Sequence, residues 1–69
     1  MKKYIIIFDL PRENAVLRVR VNRALKLTKC EKIQNSVWRS RKLDDLKGIA
    51  ELIKKEGGSA LILEWKEVE

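Results

Sequence analysis

The sequence has no histidine, a single cysteine and no long apolar run, and each absence removes a class of explanation. Without histidine the usual proton acceptor near neutral pH is missing, so any hydrolysis would need a carboxylate or a metal-bound hydroxide. Cys30 has no disulfide partner, and no Cys/His cluster offers a structural zinc site. With no CxxC nearby it reads as a small buried hydrophobe rather than a nucleophile. No stretch reaches the roughly 18 apolar residues of a membrane span, and Tyr4 to Phe8 is too short for a signal-peptide core. The expectation is a soluble, cytoplasmic protein without membrane contact. Repeats, low-complexity segments and linkers are also missing, so residues 1–69 read as one domain. A chain of 69 residues buries only about 60% of its unfolded surface, which makes self-association a cheap source of further burial.

What is present is positive charge, unevenly placed. Met1 to Lys42 carries twelve basic and three acidic residues, a balance of +9, whereas Leu43 to Glu69 carries four and seven, a balance of −3. The asymmetry points to a half that faces a polyanion, with nucleic acid as the partner. A basic but merely solvated surface is the alternative.

YIIIFDL, Tyr4 to Leu10, is apolar at successive positions, the pattern of a central strand buried on both faces. Pro11 suits the first turn of a helix, which places a strand-to-helix junction at Asp9 to Arg12. From Glu13 to about Thr28, Leu17, Val21, Ala24, Leu25 and Thr28 share one helical face, opposed by Arg18, Asn22, Arg23 and Lys26. Arg20 sits at the edge of the apolar stripe, next to Leu27. Cys30 to Leu43 sets Ile33, Val37 and Trp38 among polar residues around a turn-prone Gln34-Asn35-Ser36. Two short strands in a tight hairpin and one long bulged strand both fit. Asp44 is a good N-cap for a second helix carrying Leu46, Ile49, Ala50 and Ile53, ended by Gly57-Gly58. Ser59 to Val68 makes a last strand.

The order β α β β α β predicts an α+β fold of the ferredoxin-like kind, a four-stranded antiparallel sheet with two helices on one face. Because Tyr4 to Phe8 is apolar on both sides, the open sheet face needs a cover, and a second copy of the same sheet is the simplest one. A homodimer through that face is expected.

YIIIFDLP at Tyr4 to Pro11, LRVRV at Leu17 to Val21 and KIQNSVW at Lys32 to Trp38 together resemble the CRISPR-associated Cas-two family. Its members share a hydrophobic first strand ending in aromatic-Asp, an Arg-x-Arg pair in the first helix and a Gln-x-Ser-Val-aromatic hairpin. The resemblance runs over essentially the whole chain. It implies a ferredoxin-like homodimer that bridges the CRISPR integrase subunit during spacer acquisition, binds DNA or RNA, and in some members is a magnesium-dependent endonuclease. By the same resemblance Asp9 would be the catalytic and Mg²⁺-holding residue, one ion being shared with the second Asp9 of the dimer. Arg18, Arg20 and Lys32 would contact nucleic acid, and Gln34, Ser36 and Trp38 would support the hairpin and the dimer. The helix-to-strand turn, often marked by glycine in the family, reads Thr28-Lys29 here, and Arg39 follows the aromatic where an acidic or small residue is usual. Family members also continue into a strand that crosses to the partner, of which Trp65 to Glu69 would supply a stub.

Each candidate has a plainer reading. Asp9 could cap the first helix instead of holding a metal. Arg18, Arg23, Lys26 and Lys29 form either a phosphate-tracking edge, which Arg39, Arg41 and Lys42 would extend, or a solvated face. Trp38 could stack on a base or belong to the core or interface. Gln34 and Ser36 suit backbone groups of the hairpin. Two other functions use the same fold: a toxin-type endoribonuclease and a regulatory dimer without catalysis.

Overall fold

Alternation along the first strand organises the structure, a computed structural model that describes residues 2–66 and 68. Strand β1 (Lys3–Asp9) turns Ile6 and Phe8 to one side, where both are buried, and Ile5 and Ile7 to the other. It takes an interior place in a four-stranded sheet of order β2-β3-β1-β4, paired antiparallel with β3 (Val37–Ser40) and β4 (Ser59–Trp65). Strand β2 (Glu31–Gln34) forms one edge and β4 the other. Ile6 lies between Trp38 and Ile62, so one face of the sheet carries a continuous apolar row.

Two helices close that face. Helix α1 (Ala15–Leu27) contributes Leu17, Val21 and Leu25, and α2 (Leu43–Lys55) contributes Leu46, Ile49, Ala50 and Ile53. These residues form one core with Ile6, Phe8, Cys30 and Trp38. Burial of each large apolar side chain stabilises the fold by about 1.5–3 kcal/mol. Trp38 is 3% exposed, and its buried indole N–H has no hydrogen-bond partner among the described residues. It therefore belongs to the core of the chain and not to an exposed stacking surface.

Both helix starts differ from the sequence expectation. Pro11 lies outside α1: its carbonyl accepts from the Asn14 amide at 3.2 Å, and Asn14 is the N-cap, its Oδ1 accepting from the Leu17 amide at 3.0 Å. The Asn14 side chain supplies an acceptor that Pro11 cannot, so the helix begins four residues later. Asp44 is in the first turn of α2 and is not its cap: the N-cap is Lys42, which makes no side-chain cap hydrogen bond and whose own amide donates to Ser40 Oγ at 3.0 Å. Asp44 and Asp45 then complement the helix dipole, as Lys54 and Lys55 do at the other end.

Both helices end in the same hydrogen-bonded motif. After α2, Gly58 N donates to Ile53 O at 2.9 Å and Gly57 N to Lys54 O at 3.2 Å, with Gly57 at φ 91°. After α1, Cys30 N donates to Leu25 O at 2.9 Å and Lys29 N to Lys26 O at 3.1 Å, with Lys29 at φ 60°. Thr28 Oγ1 also donates back to the Ala24 carbonyl at 2.8 Å.

Between β2 and β3 the chain makes both a hairpin and a bulge, the register shifting between Lys32 and Gln34. The final strand ends at Trp65, short of the expected Val68, and the expected stub takes in Glu67 and Glu69, which lie outside the described residues. No helix among the described residues is long and apolar enough to cross a membrane.

Candidate nucleic-acid interface

Asp9 closes β1 opposite Ser59 of β4. The hairpin turn is held beside it, because the Phe8 amide donates to the Ser36 carbonyl at 3.0 Å. Lys32 sits across from Trp38, on the face of the sheet that carries the helices. One helical turn apart, Arg18 and Asn22 lie on the flank of α1 that faces the hairpin. These placements make a cavity of about 400 Å³ lined by Phe8, Asp9, Leu10, Arg18, Asn22, Lys32, Asn35 and Ser36.

The cavity joins three segments far apart in sequence, and the charged residues on its walls are Asp9, Arg18 and Lys32. Asn14 caps α1, so Asp9 does not, and no hydrogen bond or ion pair engages the Asp9 carboxylate among the described residues. Arg18 and Lys32 are exposed at the rim, where they can meet phosphate oxygens. Among the described residues no three acidic, cysteine or histidine side chains stand close enough together to hold a metal ion. Asp9 is the one acidic residue on the walls of this cavity.

The other candidates lie elsewhere. Arg20 projects from the opposite flank of α1, its Nη1 3.6 Å from Glu56 Oε1 near the end of α2, an exposed pair. Arg23 and Lys26 are exposed on the outer side of α1. Gln34 is exposed beyond the bulge, and neither its side chain nor that of Ser36 makes a hydrogen bond among the described residues, so they do not satisfy the hairpin backbone as expected. Asn22 and Asn35 were not among the sequence candidates. The 18-to-22 spacing on α1 could have pointed to the first, whereas only the folded hairpin reveals the second.

Arg39 and Arg41 belong to the far end of the sheet. Arg39 Nε donates to Glu31 Oε2 at 2.8 Å, and its guanidinium carbon stands 5.1 Å from the centre of the Trp65 ring. Lys3 Nζ approaches the same ring at 5.1 Å, a second cation–π contact. The Arg39 hydrogen bond, and then its charge, hold the exposed Glu31 carboxyl below its ordinary value, against a small opposing effect of burial, with Lys3 and Arg41 adding to the effect.

The sheet face away from the helices carries an exposed apolar patch, bordered by the Glu31–Arg39 pair that the register sets beside Ile5. Ile7, Leu61 and Leu63 are 39%, 56% and 44% exposed there, beside the half-buried Ile5 and Val37. The chain matches no protein-family model and no curated protein.

Proposed function

We propose that the protein is a nucleic-acid-binding homodimer that serves CRISPR adaptation beside an integrase subunit, its open sheet faces paired and its Asp9 cavities holding phosphates of DNA or RNA. The observation that carries this reading is the convergence of Asp9, Arg18, Lys32 and Ser36, from three separate motif segments, on one polar cavity. A family resemblance spread over short motifs is supported when the motifs meet in space. The element order and the antiparallel sheet are compatible with the ferredoxin-like arrangement on which that resemblance depends. The exposed Ile7, Leu61 and Leu63 supply the apolar area that a paired sheet would cover.

Binding is favoured over cutting. Arg18 and Lys32 suit phosphate, and a magnesium site would need the Asp9 of a second copy, since one protomer offers a single carboxylate there. Contacts of this kind are sensitive to salt and indifferent to base sequence.

The test is fluorescence anisotropy with labelled RNA and duplex DNA at low salt, run on the wild type and on Asp9→Ala with and without Mg²⁺. Binding by both proteins that weakens steeply with salt supports the reading. Cleavage that needs both Mg²⁺ and Asp9 extends it to a nuclease, and cleavage of RNA alone favours the toxin-type alternative. A folded protein that binds neither nucleic acid at about 50 mM salt, where phosphate contacts are strong, overturns it. Copurification with a CRISPR integrase distinguishes adaptation from a free-standing regulator.

A further inference from the structure

A second cavity, of about 290 Å³, lies at the end of the sheet away from Asp9. The start of β1, the turn after α1, the end of β3 and the N-cap of α2 bring Lys3, Lys29, Arg39, Arg41 and Lys42 to its walls, which Thr28 and Ser40 also line. Its one acid, Glu31, is already held by Arg39. Neither Lys29 nor Lys42 has a carboxylate partner among the described residues. The Glu31 carboxyl is depressed first by the Arg39 hydrogen bond and charge, and to a lesser degree by Lys3 and Arg41.

An independent observation comes from the backbone. Lys29 is the one non-glycine with positive φ among the described residues. The equivalent position after α2 is filled by Gly57, the residue that this conformation favours. The chain therefore keeps a strained lysine where glycine would relax the turn, and that lysine lines the cationic cavity. Strain retained at one position is a pointer to use.

We propose that this cavity binds a phosphate group and that Lys29 occupies its left-handed position as a phosphate contact. The phosphate belongs either to a nucleic-acid backbone or to a small free phosphate compound. The ten helical steps from Arg18 to Thr28 span roughly 15 Å, or four to five steps of about 3.4 Å along one strand of a duplex, so one nucleic acid can reach both cavities. Only the source of the phosphate rests on the proposed function; the pocket does not.

The test follows amide chemical shifts by NMR while inorganic phosphate, or an oligonucleotide without terminal phosphates, is added at constant ionic strength. The wild type, Lys29→Gly and the charge-matched control Lys54→Ala are compared. Shifts centred on Thr28, Lys29 and Ser40 to Lys42 are expected, with affinity at least about fivefold weaker in Lys29→Gly than in Lys54→Ala, as losing a charge-assisted contact predicts. Lys29→Gly is also expected to melt at a higher temperature than the wild type. Shifts with inorganic phosphate alone assign the pocket to a small ligand, and shifts with the oligonucleotide assign it to a backbone; either supports the site. No localised shifts with either probe, or equal losses in the two variants, overturn it. A lower melting temperature for Lys29→Gly removes the strain argument and with it the assigned role of Lys29.

Discussion

Gly58 packs its α-carbon against the carbonyl of Asp9, so tightly that a β-carbon there would fall 2.6 Å from that oxygen and 2.8 Å from Ile53 Cγ2. The end of α2 is thus pressed against the end of β1, at the residue that faces the polar cavity. Gly58→Ala is expected to destabilise the protein by about 1–3 kcal/mol, the usual cost of forcing atoms into a packed site. Urea unfolding measures the loss. An unchanged midpoint would mean that the contact relaxes freely and does not position Asp9.

Glu31 offers a prediction about pH. Its folded carboxyl titrates below the ordinary 4.5 because of the Arg39 hydrogen bond, then the Arg39 charge. A depressed carboxylate stabilises the fold above its unfolded pKa, and that contribution is lost as pH falls through the folded value. NMR titration is expected to find Glu31 below 4.5 in the wild type and moved upward in Arg39→Ala. Because Glu31 is fully exposed, the effect on stability is small and fades with added salt.

The fold was largely legible because its apolar patterns have one interpretation each. Five successive apolar residues at Tyr4 to Phe8 point to an interior strand, and the strand does lie inside the sheet, although within the chain only its Ile6 and Phe8 side is buried and Ile7 is 39% exposed. The helical stripes of α1 and α2 were equally readable, since Leu17, Val21, Leu25, Leu46, Ile49 and Ile53 are all core. Helix starts were harder to read, because they depend on which of several nearby polar side chains captures the free amides. Asn14 does so at α1, where Asp9 was equally good on paper, whereas α2 starts at Lys42 with no side-chain cap although Asp44 offered one. The site was half legible. Sequence pairs Arg18 with Arg20, but two residues on a helix differ by about 200°, and the fold sends them to opposite flanks of α1. The second cavity was not legible at all, since it is assembled from four separate elements and a backbone angle that no composition reveals.

Leu61 bears on self-association. It is 56% exposed on the open sheet face, opposite Ile7 and outside the core. Leu61→Glu is expected to leave the monomer folded, within about 0.5 kcal/mol of the wild type as for other surface changes, while abolishing a dimer that pairs these faces. Light scattering at micromolar concentration should then give twice the chain mass for the wild type and the chain mass for the variant. A wild type at the single-chain mass would remove the paired-sheet dimer.

The two arginines of the first helix separate binding from stability. Arg18 lines the Asp9 cavity, whereas Arg20 reaches toward Glu56 at 3.6 Å, with both members of that pair substantially exposed. Each phosphate contact on a duplex contributes about 0.9 to the slope of log affinity against log salt. Arg18→Ala is therefore expected to lower affinity for duplex DNA and to flatten that slope by about 0.9 per site, with little change in unfolding. Arg20→Ala should leave the slope unchanged and cost no more than about 1 kcal/mol of stability, the range of exposed ion pairs. Titrations of both variants at several salt concentrations, alongside urea unfolding, make the comparison. Equal slopes for the two variants would mean that the Asp9 cavity has no special part in holding phosphate and that the whole basic face binds as one diffuse surface.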